Sequence, residues 1–163
     1  MSTVGTNVRP YIDSDLGAVA SIHSEAFPRQ LQSIQWVSCN AAAYPRTRYF
    51  VAEIGGIVTG YILWLEKSGF RKDVVLELEQ IAVDPAHRRK GIAEALIRRS
   101  LPYVAQSLSK RGAAISSILV TTRADNDAIR LYERVLGARA TASIPGLFSA
   151  DEVVMVASRR DAL

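Results

Sequence analysis

Arg88, Arg89 and Lys90 follow one another immediately before Gly91, Ile92 and Ala93, where a strand-like run ending at Val83 turns at Asp84 and Pro85 into a helix. A helix N-terminus already carries partial positive charge and unpaired N–H groups, so three cations there repel it unless a strong anion sits among them. Strand, basic turn and Gly-x-Ala helix start together have the make-up of a phosphate cradle. On the strand before it, Glu77, Glu79, Ile81 and Val83 fall on one face, and Leu76, Leu78, Gln80 and Ala82 on the other. Two carboxylates on one face raise each other's pKa, which suits a base poised near neutrality; an acidic surface strand is the plain alternative.

These residues need a fold that holds them. At 163 residues the chain is long enough for one domain that buries roughly two-thirds of its unfolded surface. The N-terminal MSTVGTNVRP lacks the apolar core of a secretion signal, and the most apolar window, Ile54 to Leu65, is 12 residues with three glycines. Neither suits a membrane segment, and a cytoplasmic protein is expected. Cys39 is the single cysteine, so no internal disulfide forms, and it reads as a small packing residue. No His, Cys or Asp cluster has metal-ligand spacing, and no metal is expected.

A net charge of +4 favours anionic partners, leaving nucleic acid, acidic protein and phosphorylated cofactors open. Nucleic-acid binding calls for scattered cations and an aromatic stacking surface. Here the cations cluster at one helix start with no aromatics between them.

Val8 to Tyr11 is a short strand, and Asp13 or Ser14 caps a helix with Leu16, Val19, Ala20, His23 and Phe27 on one face. His23 on that apolar face is a structural histidine. A second helix covers about Ser33 to Ala43. Tyr49–Ile54 and Ile57–Leu65 form a hairpin across Gly55 and Gly56, and Val74–Val83 is the next strand. From Gly91 a helix carries Ile97, Leu101, Val104 and Leu108 at helical spacing, and Pro102 predicts a kink or break near Arg98 to Leu101. Ile115–Thr122 is a strand. Asp125 or Asn126 caps a helix bearing Ala128, Ile129, Tyr132 and Val135, and Gly137 closes it. Ala138–Ile144 and Val153–Ala157 finish as strands. This order indicates an α/β fold, a mixed sheet with helices on both faces.

Val83, Asp84, Pro85, then Arg88, Arg89, Lys90, Gly91, Ile92 and Ala93 resemble the acetyl-CoA signature of the GNAT N-acetyltransferases, Arg/Gln-x-x-Gly-x-Gly/Ala. Ala128, Ile129, Leu131, Tyr132, Glu133 and Gly137 resemble a later family motif, and VRPYIDSDLGAVASIHSEAF looks like its first strand and helix. The Rossmann and Walker phosphate motifs are absent. The sequence departs from the family in having Asp125 where an Asn is common, with Asn126 one place later, and Gly137-Ala138 where Gly-Phe is usual.

The resemblance implies a single GNAT domain over 1–163 with a mostly antiparallel central sheet of six to seven strands. It implies an acetyl-CoA-dependent N-acetyltransferase, moving an acetyl group from the thioester to an amine through a tetrahedral intermediate. Amides and charges of Arg88, Arg89, Lys90, Gly91, Ile92 and Ala93 would hold the pyrophosphate, and the backbone of Ile81, Ala82 and Val83 would pair with the pantetheine arm. Asn126 is a further cofactor contact. Glu79 or Glu77 would be the base, with Glu79 ahead because it is nearer the expected thioester. Tyr132 would protonate the leaving thiolate and contact the cofactor. The partners expected are acetyl-CoA and an amine, with no nucleic acid or membrane, in a monomer or homodimer. A non-catalytic acyl-CoA sensor of the same fold is the alternative.

Overall fold

A computed structural model describes residues 5–158; the first four residues of the N-terminal stretch read for a leader lie outside it. In chain order the elements are β1 (Thr6–Pro10), α1 (Leu16–Ala26), α2 (Ser33–Ala42), β2 (Thr47–Ile54), β3 (Ile57–Glu66), β4 (Asp73–Val83), α3 (Ile92–Ser109), β5 (Ala114–Arg123), α4 (Ala128–Leu136), β6 (Arg139–Ile144) and β7 (Glu152–Ser158). The strands make a 7-stranded sheet in the order β1-β2-β3-β4-β5-β7-β6. β1·β2, β5·β7 and β6·β7 are antiparallel, and β4·β5 is parallel. Mixed α/β architecture and strand count both follow the expectation.

The chain divides into two compact units, one running through Trp64 with Gln80–Tyr103, the other comprising Leu65–Glu79 and the chain from Val104. In the first unit, α1 and α2 cover one side of the strands. Val19, Ala20, Ile22 and Val37 pack on Tyr49, Val51, Tyr61, Leu63 and Ala82. The start of α3 covers the other side, where Trp64 donates its indole N–H to Ser100 Oγ at 2.8 Å and the rings of Phe50 and Tyr103 lie 5.8 Å apart. Gly60 is what lets α3 come close. A Cβ there would stand 2.9 Å from the Ala82 carbonyl oxygen and 3.3 Å from Ile92 and Leu96 side-chain carbons. The β2–β3 hairpin turns on Gly55 (φ +57) and Gly56 (φ +79), the left-handed backbone that glycine tolerates.

In the second unit Leu76, Leu78, Val104, Leu108, Ile118, Val120, Tyr132, Leu136 and Met155 are buried. Glu66, 1% exposed, is gripped by both Nη atoms of Arg111, whose guanidinium lies 5.0 Å from the Phe70 ring centre.

Three local expectations change. Neither Asp13 nor Ser14 caps α1. Asp13–Asp15 form a 3-10 turn, and Asp15 Oδ2 accepts from Ile12 N at 2.9 Å while Arg9 clasps both its oxygens. α3 runs unbroken through Pro102. A mid-helix proline costs about 3 kcal/mol, and Ile97, Ser100, Val104 and Leu108, all at 0% exposure, anchor both flanks against that cost. Cys39 is exposed on α2 and not a packing residue; Val37 is the buried side chain of that helix.

Candidate functional site

The basic turn is built within the first unit. Asp84 donates its N–H to the Thr59 carbonyl at 2.8 Å, which ties the end of β4 to β3. Its carboxylate accepts from Ala86 N at 3.2 Å and pairs with His87 Nδ1 at 3.2 Å, closing the 3-10 turn Pro85–His87. The chain then leaves in extended form at Arg88 (φ −64, ψ 159) and goes left-handed at Arg89 (φ +62) and again at Gly91 (φ +74). Left-handed backbone is strained for Arg89, by about 1–2 kcal/mol. Alternating handedness turns successive N–H groups toward one side, the concave arrangement that receives anions.

Ala95 N donates to the Gly91 carbonyl at 3.0 Å, so the first helical bond of α3 starts at Gly91. Ile92 at 1% exposure and Leu96 and Ile97 at 0% fix that helix end to the core. Arg88, Arg89, Lys90 and Gly91 are exposed, and Arg88 Nε reaches back to the Val83 carbonyl at 3.3 Å. Among the described residues no carboxylate lies within ion-pair distance of these three cations. Ile81 and Val83 are half-buried and Ala82 is buried, the alternation read from the sequence.

The second unit holds the other predicted residues. β4 pairs with β5 from Asp73↔Ala114 to Glu77↔Leu119. Lys67 Nζ stands 3.0 Å from Glu77 Oε2, so Glu77 is held in an ion pair that the sequence reading did not include. Glu79 is half-buried two residues on. Tyr132 is 4% exposed on α4, and burial pushes its phenol up to about 12. The N-cap position of α4 is Asp127, not Asp125 or Asn126, and it makes no side-chain cap bond; Asn126 instead turns the chain into the helix, its Oδ1 accepting from Ala128 N at 2.9 Å while its Nδ2 donates to Thr122 Oγ1 at 2.9 Å. Asp125 is taken by the fork of Arg123, at 2.9 Å through Nε and 2.9 Å through Nη2, which holds its carboxyl below the usual range. That charge is therefore neutralised locally.

A partly buried polar chain in the first unit, running from buried Gln80, Tyr61 and His23 out to exposed Gln30, was missed by pattern reading. Gln80 Oε1 accepts from Trp36 Nε1 and from Tyr61 OH, each at 3.1 Å, and Gln80 Nε2 donates to Gln30 Oε1 at 2.9 Å. His23 joins Gln30 through Nε2 and Ser33 through Nδ1, both at 2.8 Å. Burial pushes the Tyr61 phenol far up. His23 is thus structural, as expected, and the one available signal for the rest was a glutamine on the buried face of β4.

Comparison with known proteins follows this geometry. One stretch is 33% identical over 91 residues to an uncharacterized N-acetyltransferase of Methanocaldococcus jannaschii, covering 53% of this chain and 37% of that protein. The chain therefore spans well under half the length of that curated relative. The Ard1 structure of Thermoplasma volcanium superposes with a TM-score of 0.75 at 22% identity, covering 94% of this chain and 97% of that one. Arabidopsis thaliana NAA60 in complex with acetyl-CoA gives a TM-score of 0.75 at 20% identity, over 95% and 99% of the two chains. At these identities the likeness is one of fold. A family model described as the acetyltransferase (GNAT) family matches residues 16–138, which span both the basic turn and the Tyr132 helix. The chain belongs to the acetyltransferase (GNAT) family.

Proposed function

We propose that this chain is an acetyl-CoA-dependent N-acetyltransferase whose acceptor is a primary amine. The observation that carries the reading is the exposed left-handed turn Arg88–Gly91, with three uncompensated cations at the fixed start of α3. A group with a pyrophosphate and a further phosphate fits such a turn, because it supplies the negative charge that the helix end and the cations both lack.

When bound, acetyl-CoA supplies the acetyl group as a thioester. Amides of Arg88 to Ala93 hold its pyrophosphate, and Gly91 keeps a side chain out of the approach. Arg88, Arg89 and Lys90 add charge, and the rigid attachment of Ile92 keeps the donors aimed. The backbone of Ile81 to Val83 takes the pantetheine arm as a strand takes a neighbour.

A primary alkylamine with a pKa near ~10 is mostly protonated at neutral pH and must lose that proton before it attacks. Glu79 is the base. Glu77, paired with Lys67, sits on the same strand, and Glu79 stands ahead of it because it is nearer the expected thioester. Tyr132 keeps its proton at working pH because burial raises it, and it delivers that proton to the departing thiolate. Asn126 already spends both ends of its amide on Thr122 and the Ala128 N–H, so it shapes the turn before α4 first, and a cofactor contact would come second.

Equilibrium titration with acetyl-CoA, wild type against Gly91→Val, tests the cradle. A β-branched residue at φ +74 distorts the turn, and affinity falls at least about tenfold. Equal affinity would remove the turn from the site.

A further inference from the structure

Phe70 is 63% exposed in the loop between β3 and β4, an aromatic ring in water that no step above uses. The loop is fastened on both sides. Lys67 N donates to the Val75 carbonyl at 2.9 Å, which closes its base, and Ala114 N donates to the Lys72 carbonyl at 2.9 Å, which ties it to the start of β5. Between these ties Ser68 (φ +59) and Gly69 (φ +99) are left-handed, and Arg71 Nε donates to the Ser68 carbonyl at 2.9 Å. The Arg111 guanidinium lies 5.0 Å from the centre of the Phe70 ring and is itself held by Glu66, buried at the end of β3. A buried carboxylate thus fixes a cation, and the cation braces an exposed ring.

Charge gathers around that ring from two loops. Lys67 pairs with Glu77 and Arg111 with Glu66. Arg71, Lys72 and Lys110 are exposed, and among the described residues none of them has a carboxylate within ion-pair distance. Asp73 is the single carboxylate between Lys67 and Val74. Lys110 follows the last turn of α3, where a helix end favours cations, but Arg71 and Lys72 have no such reason to gather. At the Arg88–Lys90 turn no aromatic stands among the cations, and that spoke against nucleic acid. Here one does.

We propose that Phe70, with Arg71, Lys72 and Lys110, is a docking site for single-stranded nucleic acid. A base stacks on the ring face turned away from Arg111, and the phosphates beside it meet the three cations. Stacking uses the one face that every base has, so the site accepts any sequence. A lipid surface would draw Arg111 toward hydrocarbon along with the ring it braces, which is costly for a charge. An acidic peptide would satisfy the cations and leave the ring face unused. The site is independent of acetyl transfer, and no bond is made or broken there.

Fluorescence anisotropy with the full chain tests the site, using a labelled oligouridylate of about 12 nucleotides, an oligothymidylate of the same length and a duplex of that length. Both single strands are expected to bind, with affinity falling as salt rises, and the duplex to bind at least about fivefold more weakly. Phe70→Leu keeps the apolar bulk and loses the aromatic face. It should weaken both single strands at least about fivefold at an unchanged melting temperature, while Phe70→Tyr keeps wild-type binding. Replacing Arg71 and Lys72 together by Gln should weaken binding and flatten its salt dependence. Single-strand affinity that survives Phe70→Leu, or a duplex that binds equally well, overturns the proposal. Displacement of the oligonucleotide by acetyl-CoA would place it at the Arg88 turn and overturn it too. So would Phe70-dependent sedimentation with phosphatidylserine vesicles in place of oligonucleotide binding, which would assign the surface to a membrane.

Discussion

Trp36 donates its indole N–H to Gln80 Oε1, and that bond sets the direction of every hydrogen bond behind it. An indole nitrogen only donates, so Gln80 must turn its oxygen to Trp36 and Tyr61 and its amide nitrogen to Gln30. Gln30 Oε1 is then an acceptor on both sides, which requires His23 to present a proton on Nε2, while Nδ1 meets Ser33 Oγ. The segment between α1 and α2 is thereby tied to the strand that carries Glu79 and Ile81.

Breaking this chain at different points should give unequal losses. Trp36→Phe removes one donor while Gln80 Oε1 keeps Tyr61, and the expected loss is about 1 kcal/mol. Gln80→Leu leaves the Tyr61 hydroxyl without its acceptor at a position of 0% exposure. The expected loss there is roughly 2–3 kcal/mol, the penalty for stranded buried groups. Urea unfolding midpoints measure both. A larger loss for Trp36→Phe than for Gln80→Leu would mean that packing, and not hydrogen-bond direction, sets the stability of this region.

Gly60→Ala should destabilise by more than a surface change, because the new methyl meets the Ala82 carbonyl oxygen at 2.9 Å, and a backbone atom cannot swing aside. The strand end and the start of α3 have to part, so acetyl-CoA affinity should fall together with the melting temperature. A variant with unchanged melting temperature and affinity would show that the approach of α3 to β3 is not what holds the turn.

Arg89 and Gly91 separate charge from backbone in the turn. Arg89→Gly relieves left-handed strain worth about 1 kcal/mol and removes one cation. The melting temperature should rise, and acetyl-CoA affinity should drop only a few-fold, more at low salt than at high. A drop as large as that of Gly91→Val would make the Arg89 side chain, and not the amide cradle, the principal contact.

Much of this could be read from the sequence because it is local. The hairpin glycines, the two-residue alternation of β4, the left-handed closure of α4 at Gly137 and the basic turn each depend on neighbours within a few residues. What was missed joins residues far apart. Trp36 reaches Gln80 across 44 residues, and Glu66 reaches Arg111 across 45. The break foreseen at Pro102 failed because burial on either side of it outweighs one absent hydrogen bond. Asp15 displaced Asp13 and Ser14 because Arg9, on another element, chose the carboxylate.

The buried phenols set an alkaline limit. Tyr132 rises from 10.0 to about 12, and Tyr61 rises further, both because burial disfavours the phenolate. The folded pKa lies above the unfolded one, so this stabilisation is complete below pH ~10 and is lost as pH climbs through about 12. Denaturant midpoints should hold steady to pH ~10 and then fall, less steeply in Tyr132→Phe. An identical alkaline slope in the variant would place the Tyr132 hydroxyl in water.

Amine-dependent release of CoA from acetyl-CoA, in wild type and Tyr132→Phe across a panel of primary amines, tests the central claim most directly. Wild type should release CoA only when an acceptor is present. Tyr132→Phe should turn over more than about tenfold more slowly at nearly unchanged acetyl-CoA affinity, the signature of a lost proton donor. Tight acetyl-CoA binding with no release on any amine would contradict transfer and make the protein an acyl-CoA sensor.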